Sequence, residues 1–268
     1  MRILYVSTEL NPYTPENTLS NAALELPKMA NEEGNDVRIF MPKFGVINER
    51  RHQLHEVIRL SGMNIIINDL DQPLIIKVAS LPNEKMQVYF IDNDDYFKHK
   101  GIYADEETGD FFENNDERAI FFTKGILETV KKLNWKPDII HAQGWMSSFL
   151  PLYLKKYYSD DAFFKDAKMV YSVFDNPFSG ELSSDVVDKV AFDKIAKKAY
   201  KHLEKPNFNN LLKLGIDHSD LVIQGDEVIP EEVKEYIQST KKLFKAFDRE
   251  LPLRELYAEI IEGKEDEE

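Results

Sequence analysis

The chain has 268 residues, no cysteine and a formal net charge of −14 at neutral pH. This length buries a substantial core, and the lack of cysteine excludes a disulfide framework and thiolate chemistry. The acidic balance argues against a nucleic-acid partner, because a phosphate backbone needs a cationic face and no basic stripe stands out.

Hydrophobic residues make up 43% and charged residues 31%, ordinary values for a globular protein. No apolar run approaches the roughly 20 residues that span a bilayer, and the N-terminus lacks a signal-peptide core. A cytoplasmic protein without a membrane partner is expected.

Ile3 to Ser7 is apolar without alternation, which predicts a buried parallel strand. A loop follows from Thr8 to Asn17. Leu19, Ala22, Ala23, Leu26, Met29 and Ala30 then recur at helical spacing, with Asn17 or Thr18 as cap and Gly34 as stop. Val37 to Met41 is a second strand, closed by Pro42, which completes a β-α-β unit. His55 to Asn68, Leu74 to Ser80 and Met86 to Asp92 read as strands with short breaks, added in antiparallel or hairpin fashion. Asp94 to Asn114 reads as a long loop.

Alternation resumes with a helix over Asp116 to Leu133 and a strand over Asp138 to Ala142 that exits at Gly144. Trp145 to Tyr158 reads as a helix that Pro151 kinks or starts irregularly. Met169 to Phe174 is a strand, Val186 to Tyr200 and Phe208 to Leu214 are helical, and Leu221 to Gln224 is a short strand. No repeat or linker interrupts the pattern. The expected fold is α/β: one Rossmann-like, doubly wound domain over 1–262, with a helical segment at 230–262 and an acidic tail at 263–268.

In an open parallel sheet, ligands bind beyond the carboxyl ends of the strands. That rule selects Ser7–Thr18, His141–Trp145, Asp175–Gly180 and Gln224–Glu227 as one rim. The first loop has the layout of an anion site, since a helix N-terminus presents N–H groups and a positive dipole end. Close approach by phosphate usually uses glycine, and none lies between Met1 and Gly34. Glu16 would repel phosphate, so an ordinary capped helix start is the plainer reading. His141 can serve as an acid–base group or sugar contact, or as a hydrogen-bonded core histidine. Trp145 can stack on a sugar ring or simply pack.

Two patterns raise the question of a metal. Asp92-Asn93-Asp94-Asp95 has the spacing of a divalent-cation motif, and His52 and His55 lie three apart, a spacing that suits a helix-borne metal. An acidic loop and a solvated surface explain them equally well, so no metal or cofactor is expected. The chain has no nucleophile elbow, no phosphate-binding P-loop and no helical His-Glu-x-x-His.

A series of segments covers most of the chain. It runs from Ile3-Leu4-Tyr5-Val6-Ser7-Thr8-Glu9 with Asn11-Pro12-Tyr13, through Leu26-Pro27-Lys28 and Asp36–Gly45, to Gly101-Ile102-Tyr103 and Asn115-Asp116-Glu117-Arg118. Pro137–Ala142 with Trp145, and Pro151-Leu152-Tyr153-Leu154, complete it. In these segments the chain resembles the N-terminal domain of bacterial glycogen synthases and plant starch synthases, the ADP-glucose enzymes of glycosyltransferase family five. The resemblance implies the first half of a GT-B arrangement, in which two Rossmann-like domains enclose the reaction cleft and the second supplies most donor contacts. It also implies a glucan, or a complementing synthase-type subunit, as partner.

The departures fall where function is expected. Pro15-Glu16-Asn17-Thr18-Leu19 stands where the family has Lys-Thr-Gly-Gly-Leu, whose lysine and glycines meet the nucleotide sugar. Asn21 stands at a family aspartate. His141-Ala142-Gln143-Gly144-Trp145 replaces His-x-His-Asp-Trp, and Ser172-Val173-Phe174-Asp175 replaces Thr-Val-His-Asn. Loss of a phosphate-contacting lysine removes about 1.5–3 kcal/mol, which disfavours ADP-glucose binding.

After Gln224 only about forty residues remain, too few for a second such domain. In the family a terminal helix packs back on the first domain, a place open to residues 230–261. The expectation is a truncated, catalytically degenerate glucan-binding or regulatory domain of glucan metabolism. The alternative is an active ADP-glucose-dependent glucosyltransferase, alone or with a separate donor-binding subunit. Pro15, Glu16, Asn17, Thr18 and Asn21 then form a degenerate nucleotide-sugar loop. His141, Gln143, Trp145, Asp175 and Asn176 are candidate cleft or glucan contacts, and no residue is assigned a catalytic role.

Overall fold

A computed structural model describes residues 1–82, 84, 86–248 and 252–261. The expected acidic tail at 263–268 lies outside the described residues. The strands are β1 (Arg2–Ser7), β2 (Asp36–Pro42), β3 (His55–Glu56), β4 (Met63–Ile67), β5 (Leu70–Ser80), β6 (Gln87–Asp92), β7 (Ile139–Gln143), β8 (Lys168–Val173), β9 (Leu221–Gln224) and β10 (Leu243–Lys245). They form one sheet in the order β10-β9-β8-β7-β1-β2-β6-β5-β3, with β4 paired to β5 off that path. From β10 to β6 every neighbouring pair is parallel, while β5 pairs antiparallel with β6, β3 and β4.

The central strands are apolar because helices cover both their faces. Residues Ile3 to Ser7 and all of β7 are buried. Helix α1 (Thr18–Glu32) packs on β1 and β2 and meets the C-terminal α8 (Leu253–Ile261). The other face carries α3 (Asn115–Lys132), α4 (Phe149–Lys156) and α6 (Phe208–Asp217), which pack against one another and onto β2, β6 and β8. Three further helices are α2 (Asp94–Phe97), α5 (Val186–Phe192) and α7 (Glu231–Ser239).

Several expectations need correction. β6 pairs antiparallel with β5 as expected, but its other edge joins the parallel sheet beside β2, and Val88 to Ile91 are buried there. The His55–Asn68 strand splits into β3 and β4, parted by the turn at Leu60 and by Gly62, whose φ is 81°. Trp145 to Tyr158 starts as a 3₁₀ turn (Trp145–Ser148), so Pro151 falls in the first turn of α4, where its missing N–H costs nothing. Val186 to Tyr200 is interrupted at Asp193–Lys194, and a second 3₁₀ segment covers Lys197–Glu204. The C-terminal segment is not wholly helical, since Leu243–Lys245 adds a parallel edge strand beside β9. No helix among the described residues is long and apolar enough to cross a membrane.

Candidate functional site

From β1 the chain moves outward to β2 and β6, then returns to the opposite side of β1 as β7. The strand order reverses between β1 and β7, and the loops leaving those two strands separate there. Such a reversal opens a crevice at the carboxyl edge of the sheet. Three of the expected rim segments meet at it: the loop from Ser7 to Asn17, the turn at Gly144, and the segment after β8.

The first loop closes on itself. Asn17 caps α1: its Oδ1 accepts from the Ser20 N–H at 2.8 Å, and its own N–H donates to Ser20 Oγ at 2.9 Å. This reciprocal pair is a capping box and fixes the first turn. Asn17 Nδ2 also donates to Glu9 Oε2 at 2.5 Å. Asn21 Nδ2 donates to Glu16 Oε1 at 3.2 Å and Asn11 Nδ2 donates to Asn21 Oδ1 at 3.1 Å. Thr18 begins the helix, and Pro15 is exposed with its carbonyl accepting from Ser20 Oγ at 3.0 Å. The Thr8–Asn21 segment contains two carboxylates and no lysine or arginine. A chain carboxylate therefore stands, through Asn17, where a helix dipole would otherwise attract a ligand anion.

Glu9 is held from its other side. Tyr103 donates to Glu9 Oε1 at 2.9 Å, and the Thr8 and Tyr103 hydroxyls are 2.5 Å apart. Burial, reinforced by the charge of Glu9, keeps the Tyr103 phenol protonated far above its usual range. Arg118 sets the segment that carries Tyr103. Its guanidinium donates to the carbonyls of Tyr96 at 2.7 Å and Ile102 at 2.8 Å, and to Asn115 Oδ1. The rings of Phe44, Phe97 and Phe112 surround it. Burial without a carboxylate partner lowers its pKa to about 9. Neither Glu9 nor Tyr103 was singled out as a site residue from sequence, although both lie in the quoted segments. Their meeting spans 94 residues and has no local signature.

His141 points into the molecule. Its ring nitrogens face Tyr257 Oη at 2.7 Å and Ser172 Oγ at 2.6 Å, and Tyr257 meets the Tyr5 hydroxyl at 3.0 Å. The chain Tyr5–Tyr257–His141–Ser172 fastens α8 to the sheet. Burial lowers the imidazole pKa to about 3, so the ring is neutral at physiological pH. Trp145 is also fully buried, with its ring against Tyr103, Phe111 and Phe178. Gln143 is buried with neither end of its amide partnered, and the same holds for both polar atoms of Asn176. Asp175 is exposed at the rim.

The metal patterns dissolve into other contacts. Asp92 pairs with Lys77 and Asp94 with Lys98, at 2.8 and 3.0 Å. His52 lies against the Tyr13 ring at a tilt, and His55 sits in β3, so no helix carries the two histidines. Among the described residues no group of three or more potential ligands gathers.

The parallel sheet, its reversal beside β1 and the rim at the carboxyl edge give the chain the architecture of the N-terminal, Rossmann-like domain of the GT-B fold. The chain belongs to the starch synthase catalytic domain family, whose model matches residues 2–245. It is 37% identical over 232 residues to a glycogen synthase of Chlorobium limicola, which covers 87% of this chain and 47% of that protein. It is 35% identical over 256 residues to a glycogen synthase of Chlorobium chlorochromatii, covering 94% and 51%. The chain thus spans about half the length of the curated relatives it matches. The catalytic domain of starch synthase IV from Arabidopsis thaliana, solved with ADP and acarbose, shares the fold with a TM-score of 0.66 at 17% identity, over 82% of this chain and 44% of that one.

Proposed function

We propose that the chain takes part in glucan elongation of the glycogen and starch synthase type. In that reaction a glucosyl unit leaves ADP-glucose and joins a glucan hydroxyl, which gives up its proton. The observation that carries this reading is family membership across nearly the whole chain, at more than one-third identity to proteins named glycogen synthase. The rim then presents the glucan, while the donor diphosphate is held on a second Rossmann-like unit. The division follows from the local field: Glu9 and Glu16 stand at the α1 N-terminus without a lysine or arginine between Thr8 and Asn21. Incorporation of labelled glucose from ADP-glucose into glycogen tests the reading. No incorporation at high protein concentration, with and without cell extract, refutes it.

A second reading is a glucan-binding or regulatory domain that performs no transfer. The closed first loop favours it, together with His141 held neutral and sealed beneath α8. Calorimetric titration with glycogen, starch and maltooligosaccharides, paired with the transfer assay, separates the two. Binding without transfer selects the second.

A further inference from the structure

The chain carries 48 acidic residues against 34 lysines and arginines, yet one cleft on its surface is basic. It lies at the amino edge of the sheet, the end opposite the rim. Lys168 and Leu243 are the first residues of β8 and β10, and Ser219 and Asp220 directly precede β9. These strands run parallel, so their three starts lie side by side. Together with Lys241, Lys242 and Ile260 of α8 they line a cleft of about 310 Å³. The six-residue β8, at about 3.3 Å per residue, places the cleft about 20 Å from the rim.

The carboxylates in the cleft are already engaged. Asp220 accepts from Lys155 Nζ at 2.7 and 3.0 Å and from the Met169 N–H at 2.7 Å. Glu259, also in the lining, pairs with Lys245. Lys168, Lys241 and Lys242 have no carboxylate within ion-pair distance among the described residues. Five lysines therefore stand against two carboxylates, an excess of three positive charges.

The centre of this charge is fixed in place. Lys242 is half-buried, and its Nζ donates to the Ser219 carbonyl at 2.7 Å. Burial lowers its pKa, and Lys155 and Lys156 push the same way against the pull of Asp220 and Asp217. His218 is also held below its usual range, by burial first and then by Lys156 and Lys242. Cations that repel one another around a cleft are stabilised when an anion settles between them, and low-dielectric walls strengthen that attraction.

The charge excess selects a ligand class. A single carboxylate leaves most of it unmet, whereas a phosphate dianion neutralises two charges and offers several acceptor oxygens. Lysine is a compact point charge with three donors and meets such oxygens from any direction. Leu243, an exposed lining residue, adds an apolar flank for an organic group that carries the phosphate.

We propose that the cleft at the amino ends of β8, β9 and β10 binds a small phosphate-bearing dianion through Lys168, Lys241 and Lys242, at a site separate from the carboxyl-edge rim. Helix α8 joins the two regions: Ile260 lines the cleft, and Tyr257, three residues earlier, meets His141. An anion in the cleft therefore strengthens the docking of α8. The site stands whether or not the chain elongates a glucan.

The test is calorimetric titration of the full chain with inorganic phosphate and with phenyl phosphate at low salt, together with thermal melts against sodium chloride at matched ionic strength. Each probe should bind one to one and raise Tm above the chloride control. Lys241→Ala and Lys242→Gln should each weaken binding about tenfold, the effect of losing one charge-assisted hydrogen bond. Lys241 is exposed, and glutamine at 242 keeps a donor for the Ser219 carbonyl, so unliganded melting temperatures near wild type separate lost recognition from lost folding. Lys98→Ala, an exposed change beyond β6 on the far half of the sheet, should leave binding unchanged.

Tighter binding of phenyl phosphate supports the site and assigns it to an organic phosphomonoester, while equal affinity supports it and assigns it to free phosphate. Stabilisation no greater than that from chloride overturns the site. Undiminished binding in both cleft variants overturns it as well, and so does an equal loss in Lys98→Ala, which would mark a diffuse surface field.

Discussion

Asn17→Asp sets two forces at the α1 N-terminus against each other. Aspartate caps a helix as well as asparagine does, and its charge faces the dipole favourably, a gain of about 0.3–1 kcal/mol. The same change replaces an amide donor with a carboxylate 2.5 Å from Glu9 Oε2, so a hydrogen bond becomes a repulsion. A hydrogen bond to a buried charge contributes about 1.5–3 kcal/mol. Glu9 is only 5% exposed, but Asn17 is exposed, so solvent screens the pair and the lower end applies. The net expectation is a destabilisation of about 1–2 kcal/mol, or a fall in Tm of roughly 2–8 °C for a domain of this size. Adding Glu9→Gln should restore the loss, because the new amide can donate to the new carboxylate while its oxygen still accepts from Tyr103. Thermal melting of the single and double variants is sufficient. An Asn17→Asp protein as stable as wild type, or more so, would falsify the view that Glu9 closes this helix end.

Three further outcomes are expected. The His141 pKa lies near 3 when folded against about 6.5 when unfolded, so the unfolded chain takes up this proton first and stability falls as pH drops from 6.5 towards 3. The stability difference between wild type and His141→Gln should therefore shrink by about 2 kcal/mol between pH 7 and pH 5, and parallel guanidinium profiles would refute it. Lys124 and Asp193 form an ion pair at 2.7 Å with each side chain 7% exposed. Lys124→Met strands the carboxylate and should cost about 3–5 kcal/mol in urea unfolding, with partial recovery on adding Asp193→Leu; a loss below 1 kcal/mol is inconsistent with that burial. At Gly101, φ is 134° and an added Cβ would sit 1.9 Å from the Ala104 carbonyl oxygen. Gly101→Ala should cost about 1–3 kcal/mol and shift the fluorescence of Trp145, whose ring lies 4.9 Å from Tyr103. An unchanged spectrum and melting point would show that this turn does not position Tyr103.

The alternation of strands and helices was legible wherever local periodicity and caps agreed. Ile3–Ser7, a cap at Asn17 or Thr18, the stop at Gly34 and a strand over Asp138–Ala142 all carry their own signals; the structure selects Asn17 and shifts that strand by one residue, to Ile139–Gln143. Sequence alone missed the parallel partner of β6 and the strand β10, because the partner of a strand is chosen by the sheet rather than by the strand. It also ran past the break at Asp193–Lys194, where Asp193 is drawn inward to Lys124 and Tyr153, partners 69 and 40 residues away.

By itself the sequence determined the fold class and the family, since each rests on short-range pattern or motif order. Tertiary structure decided what the rim residues touch. Glu9 reaches Asn17 across a loop, Tyr103 reaches Glu9 across 94 residues, and Tyr257 reaches His141 across 116. Charge, burial and hydrogen-bond partners are properties of such long-range encounters. So the same Thr8–Asn21 segment that reads as an altered anion loop becomes, once folded, a helix end already occupied by the protein's own carboxylate.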